Sequence, residues 1–181
     1  MRLFIALVFD NETVERLSVL RDALHDQSER GSFVSRENLH LTLDFLGECS
    51  AEERDNAIKA IDSISFSSFP VSLDRIGTFS RDEGNIWWVG VKESMPLMKM
   101  QKELHSALVD CGLHVENRKY RPHITLGRRV ITSARPGVLN IPIETTAEKI
   151  VLMLSERGEH GMIYTPLYEK TAKKAALKSF H

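Results

Sequence analysis

Two tetrapeptides of one form, His40-Leu41-Thr42-Leu43 and His123-Ile124-Thr125-Leu126, stand 83 residues apart, one in each half of a 181-residue chain. Random placement of the histidines and threonines yields about 0.35 His-x-Thr pairs, so one copy is noise, whereas two copies with matching aliphatic neighbours are not. The spacing also restricts the backbone. On a strand, residues i and i+2 share a face, so each imidazole stands beside its threonine hydroxyl while Leu41 and Leu43, or Ile124 and Leu126, turn into a core. On a helix the two polar side chains diverge by about 200°. The motifs therefore predict two strands and one site built from both.

The surrounding sequence repeats at the same offset. Shifted by 83, Arg2 to Phe9 overlies Asn85 to Lys92 without a gap, RLFIALVF over NIWWVGVK, both apolar runs of strand type. Each run precedes a helical pattern. Val14, Leu17, Leu20 and Leu24 recur at helical spacing behind a cap at Asp10 or Asn11. In the second half Leu97, Met100, Leu104 and Leu108 form the stripe, with Ser94 as cap, Pro96 in the first turn and Gly112 as terminator. Each helix leads to a His-x-Thr strand, so the unit strand, helix, strand occurs twice.

Between and after the repeats, Ser50-Ala51-Glu52-Glu53 is a capping box opening a helix with Ala57, Ile58, Ile61 and Ile64 on one side, and a strand runs from about Val71 to Phe79. Asp26 to Arg36 reads as a loop and Arg135-Pro136-Gly137 as a turn. Lys149 to Leu154 reads as a buried strand, Glu156 to Gly161 as a hairpin loop, Ile163 to Tyr168 as a last strand, and Lys170 to His181 as a Lys-rich tail that frays. Lacking any Pro/Ser linker, residues 1–181 form a single domain with pseudo-repeat lobes at about 1–80 and 84–170.

At 42% hydrophobic and 27% charged residues, the chain can bury one sizeable core. The N-terminal apolar run ends at Asp10, too short for a signal peptide, and no stretch is long enough to span a membrane. Cys49 and Cys111 lack Cys-x-x-Cys spacing and read as reduced thiols of a cytoplasmic protein. A formal net charge of −1 provides no global field for nucleic acid. Locally, however, Arg118, Lys119, Arg121, Arg128 and Arg129 surround His123 without an acidic residue, a setting suited to an anionic ligand.

Cleaving a phosphodiester near neutral pH needs a base for the nucleophile and an acid for the departing oxygen. Two histidines with unperturbed pKa near 6.5 can divide those tasks. Threonine hydroxyls can donate to the non-bridging phosphate oxygens as the transition state forms. His25, His105, His114, His160 and His181 have no such partner and receive no role. A metal site would need three or more converging His, Cys or carboxylate ligands; only Asp44, two residues past Thr42 on the His40 face, offers itself, and its counterpart is Gly127. Metal-free, cofactor-free catalysis is expected. No Gly-x-Ser-x-Gly elbow supports a serine hydrolase.

Glu37 to Gly47 (ENLHLTLDFLG) and Tyr120 to Arg128 (YRPHITLGR) resemble the two HxTx signature stretches of the 2H phosphoesterase superfamily, and within it the RNA 2′,3′-cyclic phosphodiesterase branch, historically called 2′-5′ RNA ligase. Arg2 to Ala6, Leu154-Ser155, Gly161 and Tyr164 extend the likeness over most of the chain. The resemblance implies an α+β, bilobal LigT-like fold, with two pseudo-symmetric lobes whose antiparallel sheets surround a central cleft and whose helices lie outside. It implies metal-independent hydrolysis of RNA 2′,3′-cyclic phosphate ends to 2′-phosphates by a monomeric enzyme, with reverse 2′-5′ ligation as a companion reaction. It makes His40 the proton donor and His123 the acceptor, with Thr42 and Thr125 holding the phosphate; the repeat alone does not assign the two roles.

Arg121 falls on the cleft face by alternation from His123. Arg128 matches a basic position of the family's second motif, although a regular strand through Gly127 would point it away, so its role requires a bend at that glycine. Phe33, Trp87, Trp88 and Tyr120 are the candidates for stacking on a base, but aromatic residues in strands are more often core, and Asp26 to Arg36 and Asn117 to Tyr120 hold no recognisable base-reading pattern. The alternatives are a phosphodiesterase of a small cyclic nucleotide or 2′-5′ oligonucleotide, and a non-catalytic RNA- or phosphate-binding module. Pure binding would gain more from Arg or Lys at the histidine positions.

Overall fold

A computed structural model describes residues 1–174. In chain order the elements are β1 (Arg2–Val8), α1 (Asn11–Asp26), β2 (Ser28–Phe33), a 3₁₀ turn (Arg36–Asn38), β3 (Leu41–Glu48), α2 (Ala51–Ser63), β4 (Phe69–Phe79), β5 (Asn85–Val91), α3 (Met95–Asp110), β6 (His123–Thr132), β7 (Gly137–Ala147), β8 (Lys149–Gly158) and β9 (Gly161–Thr171). The helix boundaries are set by their caps. Asp10 accepts the Thr13 amide at 2.7 Å, Ser50 and Glu53 close the reciprocal capping box, and Ser94 with Pro96 opens α3. Each cap is worth about 1 kcal/mol. At the other end of α3, Gly112 takes φ +85° and the Leu113 amide reaches back to the Leu108 carbonyl at 3.0 Å, the hydrogen bond that such a left-handed terminator permits.

The strands form two antiparallel sheets, β3-β1-β8-β9 and β2-β6-β5-β4-β7, as an α+β architecture. Each sheet takes strands from both halves of the chain, so the boundaries at about 1–80 and 84–170 mark the sequence repeat and not the sheets. The helices are exchanged as well. α1 follows β1 yet packs against β6 and β7, where Thr13 Oγ1 donates to Thr145 Oγ1 at 2.8 Å, while α3 lies against β3 and β4. One continuous apolar cluster joins Leu3, Ile5 and Leu7 of β1 to Trp87, Val89 and Val91 of β5 and to the stripe of α3. No helix among the described residues is long and apolar enough to cross a membrane.

The repeat holds for the His-x-Thr strands but shifts by one in the strands beside them. Thr42 pairs with Ala6 and Asp44 with Ile5, whereas Thr125 pairs with Trp88 and Gly127 with Trp87. With the motifs superposed, β1 therefore corresponds to β5 at an offset of 82, not the ungapped 83. A one-residue slip exchanges the two faces of a strand, and only the even offset puts Ile5 and Leu7 over the core residues Trp87 and Val89.

Two strands escape the hydrophobic pattern. Asp26 to Arg36 is not simply a loop: Ser28–Phe33 pairs with β6 as an edge strand through its backbone and leaves polar side chains in solvent. Strand β7 also lies on an edge, which tolerates Pro142, and exposes Val138 and Ile141. The last hairpin is tighter than the expected loop from Glu156, because Glu156 and Arg157 pair with Ile163 and Met162 and leave Glu159-His160 as the turn. Lys170 belongs to β9, and its ammonium donates to the carbonyls of Ile61, Asp62 and Ile64 at the end of α2. The remaining tail from 175, including His181, lies outside the described residues.

Candidate active site

Both motif histidines are held by the same backbone device. His40 Nδ1–H donates to the Asn38 carbonyl at 2.6 Å and His123 Nδ1–H donates to the Arg121 carbonyl at 2.6 Å, in each case two residues back. A carbonyl only accepts, so the proton sits on Nδ1 and each neutral ring keeps its lone pair on Nε2. In His40 that Nε2 lies 3.0 Å from Thr42 Oγ1, whose hydroxyl supplies the hydrogen. Aromatic rings fix both imidazoles laterally. Phe4 and Tyr164 lie 4.9 and 5.4 Å from the His40 ring, and Phe79 and Trp88 lie 5.1 and 6.1 Å from that of His123.

A bulge at the same place in each motif then re-aims the residues after it. Leu43 and Leu126 are the extra residues, left without a partner on β1 and β5. Beyond the bulge the faces invert. Asp44 therefore leaves the His40 face: it is buried and spends its oxygens on His105 and Gln101 of α3, while still forming part of the cavity wall beside Thr42. Its neighbour Phe45 takes the cleft face instead. The same inversion brings Arg128 toward the histidines without a bend at Gly127. The positive φ, 54°, falls at Arg129, whose side chain turns to Glu83 at 3.4 Å.

Electrostatics join the two half-sites. Both histidines are held below their ordinary pKa, chiefly by burial and against the pull of the carbonyls they donate to. The Arg128 charge lowers both, and His123 itself lowers His40, so the rings share one electrostatic neighbourhood. A cavity of about 490 Å³ opens beside them, lined by Thr42 and His123 together with Arg81, Arg118, Lys119 and Arg121. Thr125 lies half-buried on the His123 face of β6. From the segment before the second motif, the Tyr120 hydroxyl donates to the Thr42 carbonyl at 3.0 Å and ties the halves together.

Of the four aromatic residues considered for stacking, Tyr120 lines the cavity, Trp87 is core, Trp88 supports His123, and Phe33 packs edge-on to His25. Phe45, Phe79, Arg81, Gln101 and His105 also line it and carry no signal in the sequence, because they come from four separate elements or loops. Among the described residues no group of three or more His, Cys, Asp or Glu side chains gathers as a metal site.

Comparison with known proteins gives the same picture. The family model of the 2′-5′ RNA ligase superfamily matches residues 9–159. The chain is 34% identical over 170 residues to an RNA 2′,3′-cyclic phosphodiesterase of Escherichia coli, covering 92% of this chain and 93% of that one. It is 31% identical over 179 residues to an RNA 2′,3′-cyclic phosphodiesterase of Thermotoga maritima, covering 93% and 94%. Among solved structures, E. coli LigT in its apo form superposes with a TM-score of 0.83 at 29% identity, covering 94% of this chain and 96% of that one. The same protein complexed with 3′-AMP gives 0.82 at 27% identity, covering 94% and 97%. The paired motifs, the interleaved sheets and this match over most of the sequence agree that the chain belongs to the 2′-5′ RNA ligase superfamily.

Proposed function

We propose that this protein is an RNA 2′,3′-cyclic phosphodiesterase that opens a terminal cyclic phosphate to a 2′-phosphate without a metal or cofactor. The observation that carries the reading is the duplicated Nδ1 clamp, which assigns proton exchange to the two Nε2 atoms, that of His40 beside the Thr42 hydroxyl. His123 Nε2 takes a proton from water as its oxygen attacks phosphorus. His40, protonated on Nε2, gives its proton to the 3′-oxygen as the P–O3′ bond breaks. Thr42 and Thr125 donate to the non-bridging oxygens, and Arg121 and Arg128 offset the charge that accumulates there. With a 5′-hydroxyl in place of water, the same step joins the cyclic end to a second RNA: His123 takes the hydroxyl proton as the O5′–P bond forms, the P–O3′ bond breaks and His40 protonates O3′, leaving a 2′-5′ linkage.

Both half-sites come from one chain, which supports a monomer acting as a single domain over 1–181. Cys49 and Cys111 are free thiols, which supports a cytoplasmic setting. The reading is tested with a short RNA ending in a 2′,3′-cyclic phosphate, incubated in strong chelator, with the product isomer identified by phosphorus NMR. A 2′-phosphate is the expected product. A 3′-phosphate, or no turnover, would overturn it.

A further inference from the structure

Part of the cavity has chemistry that proton transfer and phosphate binding do not require. Asp44, turned away from His40 by the bulge at Leu43, accepts from His105 Nδ1 at 3.1 and 3.2 Å and from Gln101 Nε2 at 3.3 Å. Gln101 Nε2 also donates to the Leu43 carbonyl at 3.3 Å. Burial raises the Asp44 pKa while His105 and Gln101 pull it back; as a carboxylate it only accepts, as does the Leu43 carbonyl, so His105 places a proton on Nδ1 and Gln101 directs its amide nitrogen at Asp44. What remains are Gln101 Oε1 and, in the singly protonated Nδ1–H tautomer, His105 Nε2, both acceptors. Their residues are i and i+4 on α3 and so lie side by side, both line the cavity, and His105 keeps 24% of its side-chain surface exposed.

The other walls combine rings with the cations Arg81, Arg118, Lys119 and Arg121. Phe45 is 38% exposed, Phe79 and Tyr120 stand nearby, and the Arg2 guanidinium lies 5.0 Å over the Phe45 ring. The cations suit a phosphate, whereas the rings and the pair of acceptors suit a flat heterocycle with adjacent N–H groups. Of the four RNA bases only guanine presents two neighbouring donors on its Watson–Crick edge, N1–H and N2–H₂. Adenine and cytosine place an acceptor beside their amine, and uracil has one N–H between two acceptors. At about 490 Å³ the cavity has the size of a small-ligand pocket, and Thr42 and His123 form part of its wall.

We infer that this cavity seats the base of the nucleotide carrying the cyclic phosphate, that it selects guanine through Gln101 and His105, and that Asp44 positions both. The inference rests on the proposed action on RNA ends and adds base selectivity to it.

The test measures dissociation constants of guanosine, inosine, adenosine, cytidine and uridine 2′-phosphates by calorimetry, alongside kcat/KM for the corresponding cyclic phosphates. Inosine differs from guanosine only by the missing 2-amine. Guanosine should bind about tenfold more tightly than inosine, since the analogue leaves a cavity acceptor unpaired. In Gln101→Met and in His105→Phe that ratio should fall toward one, and Asp44→Asn should reduce it in a protein with an unchanged circular dichroism spectrum. Equal affinities across the five, preference for another base, or a guanosine preference that survives both α3 substitutions overturns the inference. Turnover with flat affinities defeats it alone, while guanosine-selective binding without turnover sustains it and defeats the phosphodiesterase reading.

Discussion

The His40 and His123 half-sites share a backbone and differ in their surroundings. Each has a strand bulged after the same threonine and an Nδ1–H donated to a carbonyl two residues back. Yet β3 is the edge of its sheet, and its motif leads into the carboxylate Asp44 and the ring Phe45. Strand β6 is internal, covered by β2, and its motif leads into Gly127 and Arg128. His40 is the ring whose Nε2 touches its own threonine. The duplicated part therefore sets the tautomers and the presentation of two imidazoles, each flanked by two rings, while the divergent part puts Arg128 on the β6 side and the exposed ring of Phe45 on the β3 side. A twofold reaction needs the first to be equal, and an asymmetric substrate needs the second to differ.

The largest expected effect tests the equality. His40→Ala and His123→Ala should each reduce kcat on a 2′,3′-cyclic nucleotide by at least about a hundredfold, and the double variant should lose little more, because the two act as a unit. Near-normal turnover by either variant breaks the shared-site view. Next, Thr42→Val and Thr125→Val should each cost about tenfold in kcat/KM. Thr42→Val should also shift the His40 ring resonances in NMR, and the absence of that shift would remove the asymmetry drawn from the Thr42 contact.

A pH profile sharpens the comparison further. Burial and Arg128 depress both histidines, so in the free enzyme the necessary proton is lost at lower pH, and the kcat/KM bell should centre on the acid side of about 6.5. A bound phosphodiester anion favours the charged imidazolium, so the kcat bell should lie at higher pH. Arg128→Gln removes a cation that lowers both groups, and its kcat/KM bell should move alkaline for both limbs together. Movement of one limb alone would assign Arg128 to a single half. All these profiles should be unchanged by chelator, whereas chelator-abolished, metal-restored activity would replace the two-histidine mechanism with a metal-assisted one.

The smallest effect is on stability. With folded pKa values depressed, the unfolded chain binds more protons, so stability is complete above the unfolded value near about 6.5 and declines as pH falls through it. The urea midpoint at pH 5.5 should fall below that at pH 7.5, and His40→Gln should narrow the gap. An unaltered gap in that variant would show that His40 is not the group responsible.

Much of this was legible in the amino-acid order because it rests on short-range periodicity. His40, Thr42, His123 and Thr125 repeat at strand spacing, Leu97 to Leu108 repeat at helical spacing, and Asp10, Ser50 and Ser94 are caps that act within one turn of themselves. The edge strand Ser28–Phe33 was not legible, since its pairing uses backbone groups and its polar side chains carry no alternation. Nor was the correspondence of β1 to β5, which an ungapped match of the two apolar runs places one residue away from where their pairing with the motif strands puts it.

The chain order alone determined that two matching strands exist, that each carries an imidazole beside a hydroxyl, and that basic residues cluster near the second. Only the tertiary structure decided where the neighbours of those strands point. Two bulges invert the faces after Leu43 and Leu126, sending Asp44 to His105 and Gln101 and turning Arg128 to the histidines, while β2 and Tyr120 reach across from the opposite motif. The physical reason is that a side chain's direction along one strand is a local property, whereas an extra residue in a ladder is defined only against the partner strand.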